Sequence, residues 1–220
     1  MAAPEALMRF SKVAAAAVFV LVSSLSAHAA ELFVSTSGND ANAGTVTAPL
    51  RTISKASTLA KPGDVVTVRG GVYTGAVTIS AKGTASARIT FRAHPGEKAV
   101  IDGTGLSGST VLVNLSRTEY VDFTGFEVRN SPYIGINVRN GRSTRIAGNE
   151  IHHNVRMAVY FGADTMGGSI DAIIENNVAY NNVLENQAHA TSGGWAGTLV
   201  VTKTNGATIR GNRVYNNDGE

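Results

Sequence analysis

The stretch Ile146-Ala147-Gly148-Asn149-Glu150-Ile151-His152-His153-Asn154 decides the fold, because three other segments of the chain repeat its pattern. The other copies begin at Phe123, Ile174 and Ile209, so successive starts lie 23, 28 and 35 residues apart. Each copy has an apolar residue first, Gly or Asn two positions later and an aliphatic residue at the sixth position. A base period near 23, with insertions of about 5 and 12, predicts coils of about three short strands each.

One such coil cannot bury its inward side chains alone, whereas stacked coils form a continuous core. The repeat therefore predicts that like-numbered residues lie above one another. Two inner stacks are expected: Phe123, Ile146, Ile174 and Ile209; and Val128, Ile151, Ala179 and Val214. A third column, Asn149, Asn177 and Asn212, is predicted to be a structural amide ladder at a turn rather than a set of ligands. The fold class predicted is all-β: a single-stranded, right-handed parallel β-helix.

The composition is consistent with this class and excludes several others. The 220 residues include 24 glycines, and only 16% are charged, which is below the average for globular proteins. The chain has no cysteine, so a disulfide scaffold, a thiolate zinc site and a cysteine nucleophile are excluded. The net charge is only +3, and the excess is dispersed, which argues against a nucleic-acid partner.

Residues 1–29 have the pattern of a secretory signal peptide, with Arg9 and Lys12 before the apolar run Val13–Leu25 and Ala27-His28-Ala29 as a cleavage sequence. The alternative is an uncleaved anchor helix, although the run is short for a membrane span. Cleavage would leave 17 basic and 15 acidic residues. The pattern predicts a secreted or periplasmic protein with no stable membrane span.

Residues 30–63 are predicted to hold a first strand, a loop and a capping helix, and residues 64–220 the coils. In the loop, Asp40-x-Asn42-x-Gly44 is compatible with a calcium loop or with Asx turns. The helix is predicted over Pro49–Lys61, and Pro62-Gly63-Asp64 ends it. Short β-branched runs follow, at Val65–Val68, Val77–Ile79, Arg88–Phe91, Val100–Ile101 and Val111–Val113.

Strand alternation assigns two outer faces. One carries Asn137, Tyr160 and Val200, flanked by Arg139, Gly162 and Thr202. The other carries the neighbours Glu127 and Glu150, beside Arg129, His152, Tyr180 and Tyr215. The two glutamates form either a metal-binding acid pair or a surface charge ladder. His152 and His153 are consecutive, so alternation predicts that they face opposite sides.

The repeats, together with Asn39–Thr45, Lys61–Val66, Arg69–Tyr73 and His94–Gly103, resemble secreted right-handed parallel β-helix proteins of the pectate-lyase type. The resemblance covers residues 31–220 and includes lyases of pectate, alginate and chondroitin. It implies that the helix caps the N-terminal end of the coil. It also implies β-elimination of an acidic polysaccharide, in which Ca²⁺ neutralises a uronate carboxylate and a Lys, Arg or His takes the neighbouring proton.

On this resemblance the catalytic candidates are Arg156, Lys203 and His189, and the substrate-binding candidates are Asn137, Arg139, Tyr160 and Trp195. Trp195 lies in the insertion Leu184–Gly197 and is expected either to stack on a sugar ring or to cover the core edge. The calcium-dependent lyases have an Asp-Gly-Phe-x-x-Lys segment near here, where this chain has Gly193 for the acid and Thr198 for the base.

The residues that could hold Ca²⁺ are therefore not identified by the sequence. This departure leaves a second function open, a non-catalytic β-helix that binds a polysaccharide or a cell-surface glycan. Because Glu220 falls just after the fourth copy, the parent chain is expected to continue with further coils.

Overall fold

The computed structural model describes residues 29–184 and 197–218, in which three parallel sheets wind into one β-helix. Sheet A consists of β1 (Glu31–Val34), β2 (Val65–Val68), β5 (Ile89–Ala93), β8 (Val121–Thr124), β11 (Arg145–Ala147), β14 (Ser169–Glu175) and β17 (Thr204–Arg210). Sheet B consists of β3 (Gly71–Thr74), β6 (Ala99–Asp102), β9 (Glu127–Arg129), β12 (Glu150–His152), β15 (Val178–Tyr180) and β18 (Arg213–Tyr215). Sheet C consists of β4 (Val77–Ile79), β7 (Val113–Ser116), β10 (Ile136–Arg139), β13 (Val159–Gly162) and β16 (Leu199–Val201).

The register of the strands confirms the stack that the repeat predicts. Ile146 pairs with Phe123 on one side and with Ile174 on the other, and Ile174 pairs with Ile209. The side chains of Phe123, Ile146 and Ile174 are fully buried. Ile209 keeps its place in the column but is 51% exposed, because β17 is the last strand of sheet A among the described residues. The same pairing joins the second predicted column through β9, β12, β15 and β18.

Hydrogen bonds join the three asparagines of the predicted amide ladder. The Asn177 side chain accepts hydrogen bonds from the backbone N–H and the side-chain amide of Asn149, both at 3.0 Å. Its own amide donates to the Asn212 side chain and to the carbonyl of Ile146, both at 2.9 Å. Each asparagine thus pairs buried backbone groups that the turn between sheets A and B would otherwise leave unsatisfied.

A second ladder runs along the turn that follows sheet B. The Asn154 amide donates to the Asn182 side chain at 2.8 Å, and that of Asn182 donates to Asn217 at 3.0 Å. These asparagines occupy the ninth position of the last three copies, so the repeat contains this ladder as well. Two amide columns therefore fix two of the turns in every later coil.

The helix is shorter than the sequence predicts, running over α1 (Ile53–Leu59) instead of Pro49–Lys61. Leu50 bridges to Val34 as an extended residue, and the Asp40 carboxylate accepts hydrogen bonds from the backbone N–H groups of Arg51 and Thr52, both at 2.9 Å. Thr52 then caps the helix by accepting from the N–H of Lys55. The loop acid thus serves a helix start, as the Asx-turn interpretation favours.

The predicted strands lie close to the observed ones, with β2 and β4 at the predicted bounds. β7 begins at Val113 rather than Val111. Helix α1 packs on β1 and β4, at the end of the coil where the chain enters it. Within the described residues, no helix is long and apolar enough to cross a membrane. The predicted signal sequence falls almost entirely outside the described residues and stays a prediction.

Stability of the first coils is expected to fall below about pH 4.5 because of Glu97. Its carboxylate accepts from the Arg69 guanidinium at 2.8 Å and from the Gly70 N–H at 2.6 Å, which lowers the pKa of Glu97 from 4.5 to about 2. A lowered folded-state pKa gives stabilisation that is present above the unfolded value and lost as the pH falls towards the folded one.

Urea unfolding of the unsubstituted chain and of the Glu97→Gln variant, at about pH 6 and about pH 3, measures this contribution. The stability difference between the two proteins should narrow at the lower pH. An equal difference at both pH values would show that Glu97 does not contribute in this way.

Candidate functional site

The outer face of sheet C carries the polar row that strand alternation predicts. Asn137 on β10 pairs in register with Asn114 on β7 and with Tyr160 on β13, and Tyr160 pairs with Val200 on β16. The Asn137 amide donates to the Asn114 side chain at 2.8 Å, and Asn137 is only 7% exposed. Asn137 is therefore largely covered, whereas Asn114 and Tyr160 are half-buried and remain partly accessible.

Tyr160 lies along its own strand because Gly162 has no side chain. A Cβ at position 162 would stand 2.6 Å from the Tyr160 hydroxyl and 2.7 Å from two carbons of its ring. The ring therefore rests on the backbone of β13 rather than projecting from the sheet. A ring held flat on a sheet is a suitable platform for a sugar ring.

A row of cations follows the ends of the sheet C strands, and we call it the basic ridge; its members are Lys82, Arg117, Arg139, Arg142 and Lys203. All five are exposed. The ridge continues from coil to coil, since Glu119 bridges in parallel register to Lys82 on one side and to Arg142 on the other.

A groove of about 250 Å³ lies along this ridge, lined by Lys82, Arg117, Arg142, Asn140 and Glu119, among others. Lys82 is paired with Glu119 at 2.7 Å. In the part of the chain that the structure describes, neither Arg117 nor Arg142 forms an ion pair. These two guanidinium groups are therefore available to an anionic ligand.

Asp164 organises the other side of the ridge. Its carboxylate accepts from Nδ2 of Asn140 at 2.7 Å and from Nε of Arg139 at 2.6 Å, and these bonds lower the pKa of Asp164. The Lys203 amine lies 3.4 Å from the Asp164 carbonyl oxygen. The structure thus brings together two residues that the sequence nominated separately, Arg139 and Lys203.

Arg156 lies at the opposite edge of sheet C. It precedes β13, stacks 4.9 Å above the centre of the Tyr133 ring and donates to the Tyr133 hydroxyl at 3.1 Å. Lys203 follows β16, so the catalytic candidates Arg156 and Lys203 lie at opposite ends of the sheet C strands, one strand length apart. His189 and Trp195, the other nominated residues of this region, lie outside the described residues.

The outer face of sheet B is a charge network. Lys98 reaches both Glu127, at 2.5 Å, and Glu150, at 3.5 Å, so the acid pair is bridged by a cation. The prediction that His152 and His153 face opposite sides is wrong, because their Nδ1 atoms lie 2.7 Å apart. His153 has a φ of 55°, and this left-handed turn breaks the alternation of the strand.

The residues that the structure describes do not provide an acidic cluster for the Ca²⁺ that the resemblance implies. Within residues 29–184 and 197–218, no three His, Asp or Glu side chains converge so that they could hold a metal ion. The acids of the sheet C region, Asp164 and Glu119, are each bonded to a base.

Sequence reasoning missed Lys82, Arg117 and Arg142. The sequence held a signal for part of this set. Arg117 and Asn140 directly follow their sheet C strands, and Lys203 follows β16 after one residue. All three residues have a left-handed backbone. The nine-residue copies of the repeat lie on sheets A and B. The ridge follows sheet C, where spacing between coils is interrupted by insertions.

Comparison with known proteins places this geometry in a family. Residues 32–219 match the family model described as the Pel9A-like, right-handed beta helix region. The chain belongs to this family. Pectate lyase PEL9 of Emericella nidulans is 29% identical over 203 residues, covering 86% of this chain and 48% of the relative.

Two solved structures support the right-handed parallel β-helix. The crystal structure of pectate lyase Pel9A superposes with a TM-score of 0.58 at 24% identity, over 70% of this chain and 40% of that one. The alginate lyase from Paenibacillus sp. str. FPU-7 gives a TM-score of 0.53 at 21% identity, over 84% and 58%. The chain thus forms a polysaccharide-lyase-like β-helix and spans about half the length of the fungal pectate lyase.

Proposed function

We propose that this chain is the β-helix of a secreted protein that binds an acidic polysaccharide of the pectate or alginate type and cleaves it by β-elimination. The basic ridge beside the polar face of sheet C carries the proposal. Stacked coils repeat about every 4.8 Å, which is close to the length of one sugar unit. A polyuronate running along the ridge would therefore present its carboxylates in step with the cations.

In this proposal Arg117, Arg139 and Arg142 bind uronate carboxylates, and Tyr160 lies under a sugar ring. Guanidinium groups suit this role because they can donate two parallel hydrogen bonds to a carboxylate. Lys203 is the proton acceptor that this arrangement favours. Its amine contacts the backbone carbonyl of Asp164 and the Arg139 guanidinium contacts the carboxylate of Asp164, so the base lies beside a carboxylate-binding residue. The lone pair of Nζ takes the proton beside the carboxylate, a carbon–carbon double bond forms, the bond to the glycosidic oxygen breaks, and this oxygen takes up a proton from water.

The test is incubation of the full chain with polygalacturonate, alginate or chondroitin sulfate, with and without added calcium. A rise in the ultraviolet absorbance of unsaturated uronate ends is expected, and Lys203→Ala should abolish it, while binding weakens only about fivefold because one ridge charge is lost. Absence of both product and binding with all three polymers would overturn the proposal.

Binding without turnover would favour the second candidate function, a glycan-binding module. The observation that favours it is that no metal-holding acid cluster exists among the described residues. Isothermal titration with the same three polymers separates the two functions, because the module would bind and yield no unsaturated product.

Gly162→Ala is expected to weaken polygalacturonate binding about fivefold, which corresponds to about 1 kcal/mol of stacking. The added methyl group pushes the Tyr160 ring off the strand, and a side-chain end can move with little effect on folding. Titration calorimetry measures the affinity. Tyr160→Phe is the control, since it keeps the ring and should bind like the parent; equal losses in both variants would contradict the platform.

A further inference from the structure

A carboxylate is buried on the outer side of sheet B, away from the basic ridge. Glu127 is 4% exposed, and its Oε1 atom accepts from Nη1 of Arg129 at 2.8 Å and lies 3.2 Å from Nε2 of His152. The Lys98 amine lies 2.5 Å from the other oxygen. Burial raises the pKa of Glu127, but Lys98, Arg129 and His152 together hold it below its usual value. Glu127 is therefore ionised at neutral pH.

His152 is held between this carboxylate and the next histidine. It is 8% exposed, and its ring stacks on that of Tyr180 with centroids 4.8 Å apart. Burial lowers the pKa of His152 more than Glu127 raises it, so the ring is neutral at pH 7. The other charged or titratable groups around this network are Asp102, which pairs with Arg129, and Glu150, which accepts from the Tyr180 hydroxyl.

His153 occupies a position where three other coils have asparagine. Asn130, Asn181 and Asn216 directly follow β9, β15 and β18, as His153 follows β12, and all four have a φ between 50° and 58°. Asparagine is common in this left-handed conformation because its side chain tolerates it. Only in the β12 coil of the described residues does an imidazole stand here, and the turn brings its Nδ1 atom onto His152.

These contacts determine which ring nitrogen of His152 and of His153 carries the proton. An ionised carboxylate only accepts, so Nε2–H of His152 donates to Glu127 and Nδ1 of the neutral ring is an acceptor. The bond between the two rings must then be donated by Nδ1–H of His153. The Nε2 atom of His153, an exposed residue, is left with a free lone pair.

We propose that Glu127, His152 and His153 form a relay that makes Nε2 of His153 the hydrogen-bond acceptor of a second glycan site, one for a neutral, hydroxyl-rich sugar. A groove of about 440 Å³ beside it is lined by His153, Leu184, Asn181, Asn216, Asn217 and Asp218. Amide side chains bind sugar hydroxyls through both donor and acceptor atoms. Among the described residues, no lysine or arginine lines this groove, in contrast to the ridge, so a neutral sugar suits it better than a uronate.

Glu127 and His152 act through His153 and are positioning residues. Without the Glu127 charge, the proton of His152 is no longer held on Nε2, so the Nε2 atom of His153 should lose its fixed role as the acceptor.

The decisive experiment is long-range ¹H–¹⁵N NMR of the ¹⁵N-histidine-labelled full chain at mildly alkaline pH, titrated with cellotetraose, galactotetraose or mannotetraose. His153 should be protonated at Nδ1 and His152 at Nε2, and one of the three sugars should shift the Nε2 resonance of His153. Glu127→Gln should change this tautomer pattern and weaken the sugar response, whereas Glu150→Gln should change neither.

His153→Asn is the matched variant, because it installs the residue found at this place in three other coils. It should fold as well as the parent and lose the tetraose response, while polygalacturonate binding at the ridge is unchanged. The reverse tautomers, unchanged tautomers in Glu127→Gln, or no response to any of the three tetraoses would overturn the relay site without affecting the proposal for the ridge.

Discussion

Asn177→Ala is expected to destabilise the protein by about 4 kcal/mol, a large part of the free energy of unfolding of a typical domain. Asn177 is 1% exposed, and its side chain forms four hydrogen bonds to the coils on either side. Alanine leaves the Asn149 N–H and the Ile146 carbonyl buried without their partner. Each such group costs about 1–3 kcal/mol.

Urea unfolding followed by circular dichroism measures this loss. The matched control is Asn205→Ala, the same substitution at an exposed position of β17, where a change below about 0.5 kcal/mol is expected. A difference of less than about 1 kcal/mol between the two variants would contradict a structural role for the ladder.

The ladder and the inner columns could be predicted because they depend on one property, the identity of residues one coil apart. In a parallel stack each residue contacts its own equivalent, so a column such as Ile146 and Ile174 is visible in the sequence as a repeated letter. The same logic placed Asn137 beside Tyr160 and Glu127 beside Glu150. The periodicity of the sequence was therefore sufficient to predict the fold and the residues of the outer faces.

Features that depend on a single contact could not be predicted in this way. The start of α1 is set by the Asp40 carboxylate, which lies twelve residues before Thr52 and removes Arg51 and Thr52 from the helix. The meeting of His152 and His153 depends on one φ angle. Arg139 and Lys203 converge only because Asp164, from a different coil, bonds to both.

The basic ridge yields the second large effect. Arg117→Gln combined with Arg142→Gln is expected to weaken polygalacturonate binding about 25-fold, which corresponds to about 1 kcal/mol for each charge removed. Both guanidinium groups line the groove and are exposed, so their loss should leave the stability nearly unchanged. Because the contacts are exposed and ionic, the affinity of the parent chain should also fall steeply with added salt.

Titration calorimetry at low and high salt measures both effects. The control removes two charges elsewhere, with Arg51→Gln and Arg213→Gln, which are exposed near the helix and on sheet B. It has the same net charge as the ridge variant, so it separates a local site from general attraction of a polyanion to a basic protein. If both double variants lost the same affinity, the polymer would be responding to net charge, and the ridge would not be its binding site.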